Sequence, residues 1–156
     1  MSRVSDLTDF KDDPYLTVLR PLVEAYLAVW REGSRHVRRL HLTPSQFDVI
    51  VTLGDTGGMT CSDLSAATLV TKGTLTGVVD RLVEKGLIRR ETIPGDRRAI
   101  RICLTERGET LFQKCFPAQA AFLRPFFQRA LTERDAAELC RLLRQIRDSF
   151  DHSNAE

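Results

Sequence analysis

Apolar residues recur at helical steps over the first part of the chain. Leu16, Leu19, Leu22, Val23, Tyr26, Leu27 and Trp30 fall on one face, predicting a helix from near Tyr15. That face fades in the basic stretch Arg35, His36, Arg38, Arg39. Thr43-Pro44-Ser45-Gln46 then signals a helix start: a capping threonine, a proline suited to the first turn, and a glutamine able to close a capping box. Phe47, Ile50 and Val51 supply the second helix's apolar face, and Gly54, Gly57 and Gly58 end it in a loop. Thr60-Cys61-Ser62-Asp63 opens a short third helix with Leu64 and Ala67 inward. A tight turn, Thr68-Leu69-Val70, leads to Thr71, the predicted cap of a fourth helix. Its inner stripe is Leu75, Val78, Val79, Leu82 and Val83, with Gly86 just past its end.

The period then drops to two. Residues 87–92 read as a strand, Ile93-Pro94-Gly95-Asp96 as a turn, and Ile100, Ile102 and Leu104 as the inward side of a second strand. Thr105 caps a long helix bearing Leu111, Phe112, Cys115, Phe116, Phe122, Leu123, Phe126 and Phe127. Pro117 and Pro125 lie inside it and are expected to bend or interrupt it. Thr132-Glu133-Arg134-Asp135 starts a last helix with Leu139, Leu142, Leu143, Ile146 and Phe150 inward. The fold class this predicts is mainly α with a small β-hairpin: a winged helix-turn-helix lobe plus a helical dimerisation region.

Charge sharpens the picture. The net charge is only +2, yet between Thr71 and Arg107 nine basic residues face five acidic ones, while 16–70 and 108–156 are balanced. Local basicity of this kind suits a phosphate-facing surface. The fourth helix fits a major groove, where its early outward positions, Lys72, Thr74, Thr76 and Gly77, would meet the duplex. The two threonines can exchange hydrogen bonds with base edges, and Lys72 can reach phosphate or guanine. Gly77 costs about 1 kcal/mol relative to alanine in a helix. Its absent side chain admits either close approach of DNA or close packing against another helix. At the hairpin tip, Arg98 is assigned to minor-groove insertion and Asp96 to orienting it, with Arg97 as alternative inserter or phosphate contact.

These residues carry a family resemblance. Thr74-Leu75-Thr76, Asp80-Arg81-Leu82, Lys85-Gly86-Leu87-Ile88, Asp96-Arg97-Arg98 and Leu104-Thr105-Glu106-Arg107-Gly108 make the segment from Val70 to Gly108 resemble the multiple-antibiotic-resistance regulator (MarR) family of bacterial transcription factors. The order of helices fits as well. The resemblance implies one MarR-like domain over 1–156, with 15–40 and 106–150 forming the dimerisation region around a DNA-binding lobe at 43–105. It implies an obligate homodimer that reads a near-palindromic operator in double-stranded DNA, usually as a repressor. It gives Arg81 a role at the DNA backbone. It also implies release by a small, often aromatic or phenolic, effector bound between dimer region and lobe. Tyr26, Trp30, His36, His41 and Phe47 are the candidate effector residues. Many family members carry a basic or polar residue where Gly77 stands.

Other classes find less support. No GxSxG, P-loop, HExxH or GxGxxG sequence occurs, so no enzyme is expected. Cys61, Cys103, Cys115 and Cys140 form no CxxC pair, and His36 and His41 do not share a helix face; no metal and no cofactor are predicted. No apolar run reaches the roughly 18 residues of a membrane span, and the acidic start lacks a signal peptide's basic and apolar parts, which predicts a cytoplasmic protein. Two alternatives stay open. One is a thiol-based redox regulator, for which Cys61, near a helix start, is the best-placed cysteine. The other is a winged-helix protein-interaction module without DNA binding.

Overall fold

The computed structural model describes residues 13–93 and 96–152, with the side chains of residues 96–99 and 151–152 outside that description. After a short 3-10 turn at Leu16–Val18, the elements run α1 (Leu19–Arg39), α2 (Pro44–Leu53), β1 (Met59–Thr60), α3 (Cys61–Ala67), α4 (Lys72–Glu84), β2 (Ile88–Ile93), β3 (Asp96–Leu104), α5 (Glu106–Ala130) and α6 (Glu133–His152). This is the mainly helical, winged helix-turn-helix architecture expected. The chain divides into two compact units, Met1–Phe116 and Pro117–Glu156. No helix among the described residues is long and apolar enough to cross a membrane.

Each helix of the lobe starts or stops where its chemistry dictates. At α2 the Thr43 hydroxyl accepts from the Gln46 amide at 3.2 Å, and the Gln46 side chain accepts from the Thr43 amide at 3.1 Å, a complete capping box. At α4 the expected side-chain cap does not form. The Thr71 hydroxyl donates to the Thr74 hydroxyl at 2.9 Å, and the Thr71 carbonyl receives the Thr74 and Leu75 amides. The helix starts at the predicted place, but hydroxyl pairs with hydroxyl because Thr74 offers a closer partner.

Helix α4 ends in a Schellman motif. Gly86 is left-handed at φ +66°, its amide donates to Val83, and the Leu87 amide reaches back to Leu82. Helix α1 closes in the same way with His41 at φ 62°, its amide bonded to Arg38 and that of Leu42 to Val37.

The core of the first unit gathers Val49, Ile50 and Leu53 of α2, Leu64 of α3, Leu75, Val78, Val79 and Leu82 of α4, and Ile88, Ile102 and Leu104 of the sheet. Burying each such side chain stabilises the lobe by roughly 1.5–3 kcal/mol. Of the predicted inner stripe of α4, Leu75, Val78, Val79 and Leu82 are buried and Val83 is partly buried against the core.

The sheet has one strand more than expected, with order β1-β3-β2. Met59 and Thr60 pair with Ile102 and Arg101. Two residues carry no periodic signal, so only the tertiary pairing creates β1. The hairpin also differs in detail. Ile88 through Thr92 pair in register with Leu104 back to Ile100, and Ile93 then pairs with Asp96. Asp96, expected in the turn, is therefore the first residue of β3. Arg97, Arg98 and Ala99 form the excess between two successive pairs, a bulge that bends the strand and breaks its alternation.

Neither proline interrupts α5, which is one helix from Glu106 to Ala130 with Pro117 and Pro125 inside it. Each proline removes a single N–H and disturbs one turn. Cys115 and Gln119, on either side of Pro117, are buried, whereas residues 124–130 around Pro125 are exposed.

Candidate nucleic-acid interface

Helices α3 and α4 meet across the turn 68–71, and one acidic side chain from α2 holds that turn. The Asp48 carboxylate accepts the Leu69 amide at 2.7 Å, across 21 residues of sequence. Burial pushes the Asp48 carboxyl above the ordinary aspartate range, and the Leu69 hydrogen bond opposes that only in part. With the folded value above the unfolded one, the group's favourable contribution belongs to its protonated form. That contribution is complete below about pH 3.9, the free-aspartate value, and is lost as pH rises through the folded value. Asp48→Asn keeps an oxygen for the Leu69 amide and removes the charge. We expect it to be at least as stable as the parent at pH 7, with the difference vanishing towards pH 4. Urea unfolding at the two pH values checks this; a variant clearly weaker at pH 7 would refute it.

With the turn held, α4 presents a polar face. Lys72, Thr74, Thr76, Gly77 and Arg81 are all exposed, while Leu75, Val78, Val79 and Leu82 close the other side. A Cβ built at Gly77 would meet nothing within 4 Å, and the same holds at Gly73, one turn earlier. The helix-packing explanation for Gly77 therefore has no partner inside the described chain. Gly73 escaped the sequence reading, although its four-residue spacing from Gly77 marks the shared face.

The wing is tied to α4 by an ion pair that sequence alone did not reveal. Arg90 of β2 meets Asp80 of α4 at 2.6 Å. Beside it, Arg89 pairs with Glu91 at 2.6 Å and also donates to the Leu104 carbonyl. The Glu91 carboxyl is held low, first by its hydrogen bond from Arg89 and then by that from Cys103. The side chains of Asp96, Arg97 and Arg98 lie outside the described residues; their backbone forms the start of β3.

The thiols divide by environment. Cys103 is buried against the Gly57–Gly58 loop and donates to the Gly57 carbonyl and to Glu91. Burial first, and the Glu91 carboxylate second, push its thiol up. Cys115 is buried and pushed up by burial too. Both are thus kept protonated, the reverse of what a reactive thiol needs. Cys61 and Cys140 are exposed.

The effector candidates lie on α1, on α2 and at the residue that closes α1. Tyr26 and Trp30 stack on each other along α1, with ring centroids 6.2 Å apart and both rings half open to solvent. His36 is half-buried, Phe47 packs against the core, and His41 is the exposed left-handed residue that ends α1. Cys61, Ser62, Ser65, Lys72 and Thr76 help to line a groove between α3 and α4. Another groove is lined by Leu87, Glu106, Arg107, Thr110, Leu111 and Lys114. Neither takes in any of the five.

Two helices joined by a pinned turn, an open polar face on the second, and a wing tied to it on a basic segment define a winged helix-turn-helix DNA-binding regulator. Comparison with known proteins agrees. The model of the MarR family matches residues 42–100. The HTH-type transcriptional repressor NicR of Pseudomonas putida is 31% identical over 136 residues, covering 87% of this chain and 84% of NicR. AbsC, a MarR family transcriptional regulator from Streptomyces coelicolor, superposes with a TM-score of 0.80 at 27% identity, over 90% of this chain and 96% of AbsC. A mutant MarR from E. coli complexed with operator DNA gives 0.75 at 26%, over 85% and 94%. BpsR of Bordetella bronchiseptica, whose DNA binding is regulated by 6-hydroxynicotinic acid, gives 0.66 at 26%, over 83% and 96%. The chain belongs to the MarR family of HTH-type transcriptional regulators. Those relatives are regulators, not enzymes.

Proposed function

We propose that this chain is a homodimeric, cytoplasmic repressor that binds a near-palindromic operator and leaves it when a small flat organic ligand binds. One observation carries the DNA reading: the polar face of α4, from Lys72 to Arg81, is open along its length while its apolar face is closed against the core. In this reading α4 enters the major groove. Thr74 and Thr76 meet base edges, Gly77 allows close approach, Lys72 takes phosphate or guanine, and Arg81 takes the backbone. Arg98 enters the flanking minor groove, oriented by Asp96, with Arg97 as second inserter or phosphate contact.

Dimerisation through 15–40 and 106–150 is supported by apolar side chains left open. Leu19, Val23, Tyr26, Leu27 and Trp30 on α1, and Leu139, Leu142, Leu143 and Phe150 on α6, are exposed in the single chain. Large exposed apolar surfaces of this kind are usually covered by a partner. The effector class is supported by NicR, a repressor, and by BpsR, which responds to a hydroxylated pyridine carboxylate. Tyr26, Trp30, His36, His41 and Phe47 are its proposed contacts, the Tyr26–Trp30 stack suiting an aromatic ring. Such a ligand displaces DNA only by binding the DNA-incompetent state more tightly.

Gel shifts over a range of salt test this. The affinity should fall steeply with salt, by a logarithmic slope of about −0.9 for each phosphate contacted. The full palindrome, with half-sites about 34–36 Å apart, should bind far more tightly than one half. Equal affinity for half and full sites would refute the two-fold reading.

A further inference from the structure

The α4–β2 ion pair sits on the face assigned to DNA, and it neutralises an arginine there. Asp80 lies one turn beyond Thr76 and is exposed like it. Arg90 shares its side of β2 with buried Ile88, so its strand packs against α4 while its head emerges at the edge and meets Asp80 at 2.6 Å. About half of each side chain is open to solvent, so the pair adds little to stability. Its effect on charge is larger. Arg89 is held by Glu91, Arg90 by Asp80, and Lys85 by Gln46. Lys72 and Arg81 have no ion pair among the described residues. Cations of this lobe are thus sorted into held ones and offered ones.

We infer that Asp80 is a specificity-determining positioning residue, which holds Arg90 away from phosphate and so withholds a sequence-independent contact from DNA. The inference rests on the DNA reading above. An unpaired Asp80 on this face would repel the backbone, and an unpaired Arg90 would bind any duplex alike, because phosphate contacts carry no sequence information. Held together, they leave discrimination to the groove contacts of α4 and the wing. They also keep the base of the wing at a set distance from the helix.

The test uses the full chain and two duplexes: the tightest one the parent selects from a randomised pool, and poly(dI·dC). Asp80→Asn should bind poly(dI·dC) more tightly than the parent at 50 mM salt, and for each added phosphate contact its affinity should fall about threefold further than the parent's between 50 and 200 mM salt. Its salt slope should steepen by about one, and the ratio of selected to non-specific affinity should fall, with thermal unfolding little changed. The exchanged pair, Asp80→Arg with Arg90→Asp, should restore the parent's ratio; it also supplies the readout if Asp80→Asn folds poorly. Parallel weakening on both duplexes with an unchanged slope would reduce the pair to a structural brace and overturn the inference, as would an unchanged ratio. A parent that binds neither duplex in a salt-dependent way would instead sink the DNA reading itself, and this inference with it.

Discussion

Gly108→Ala is expected to destabilise the protein by about 2–4 kcal/mol, lowering the thermal midpoint by roughly 5–15 °C. Gly108 is in the first turn of α5, where alanine would normally gain about 1 kcal/mol. Here a Cβ would fall onto the Leu87 carbonyl oxygen, well inside van der Waals contact, and lie 3.1 Å from the Leu87 carbonyl carbon and 3.2 Å from Leu104 Cδ2. That carbonyl accepts the Thr105 amide at 3.0 Å. The Thr105 hydroxyl donates to the Gly86 carbonyl at 2.7 Å and accepts the Gly108 amide at 3.1 Å. The end of α4, both strands of the wing and the start of α5 meet at this one point, so backbone must move to admit a methyl group. Gly77→Ala is the control: with open space around its Cβ it should gain about 1 kcal/mol, where Gly108→Ala loses stability. Urea or thermal unfolding of both variants decides the matter, and equal effects would refute the clash.

Lys72→Ala combined with Arg98→Ala should lower operator affinity by about two orders of magnitude or more, given ~1–3 kcal/mol for a groove arginine. The two changes should separate in kind. Loss of Lys72 from a phosphate should weaken binding to all sequences and flatten the salt slope by about one. Loss of Arg98 from the minor groove should cost most at narrow, A·T-rich flanks. Lys72 is exposed and makes no ion pair among the described residues, so its removal leaves folding intact. Titration of a selected duplex with each single variant and with the double variant checks this. Parent-like affinity in the double variant would overturn the assignment of α4 and the wing to DNA.

Much of the lobe was readable because its signals are local. The Thr43–Gln46 box, the left-handed Gly86, the α4 stripe and the Thr105 start each depend on residues within one or two turns, and each formed as expected. The capping hydroxyl of Thr71 failed for a local reason too, a competing hydroxyl three residues on. Of the two effects expected of the prolines of α5, bend or interruption, interruption does not occur, because one missing N–H removes one hydrogen bond from a helix of 25 residues.

By itself, then, the order of residues determined the helices, the inner face of α4, the hairpin and the basic segment that carries the wing, since periodicity and caps act over a few neighbours. Ala67, Ile100, Leu139, Leu142, Leu143 and Phe150, expected inward, are exposed in the single chain, because periodicity marks an apolar face but not what covers it. What brings Asp48 to the Leu69 amide, Asp80 to Arg90, Met59 to Ile102 and Gly108 to the Leu87 carbonyl was decided only in three dimensions. Those partners lie 10 to 43 positions apart, and no pattern of neighbours encodes a meeting that packing of the whole lobe must first create.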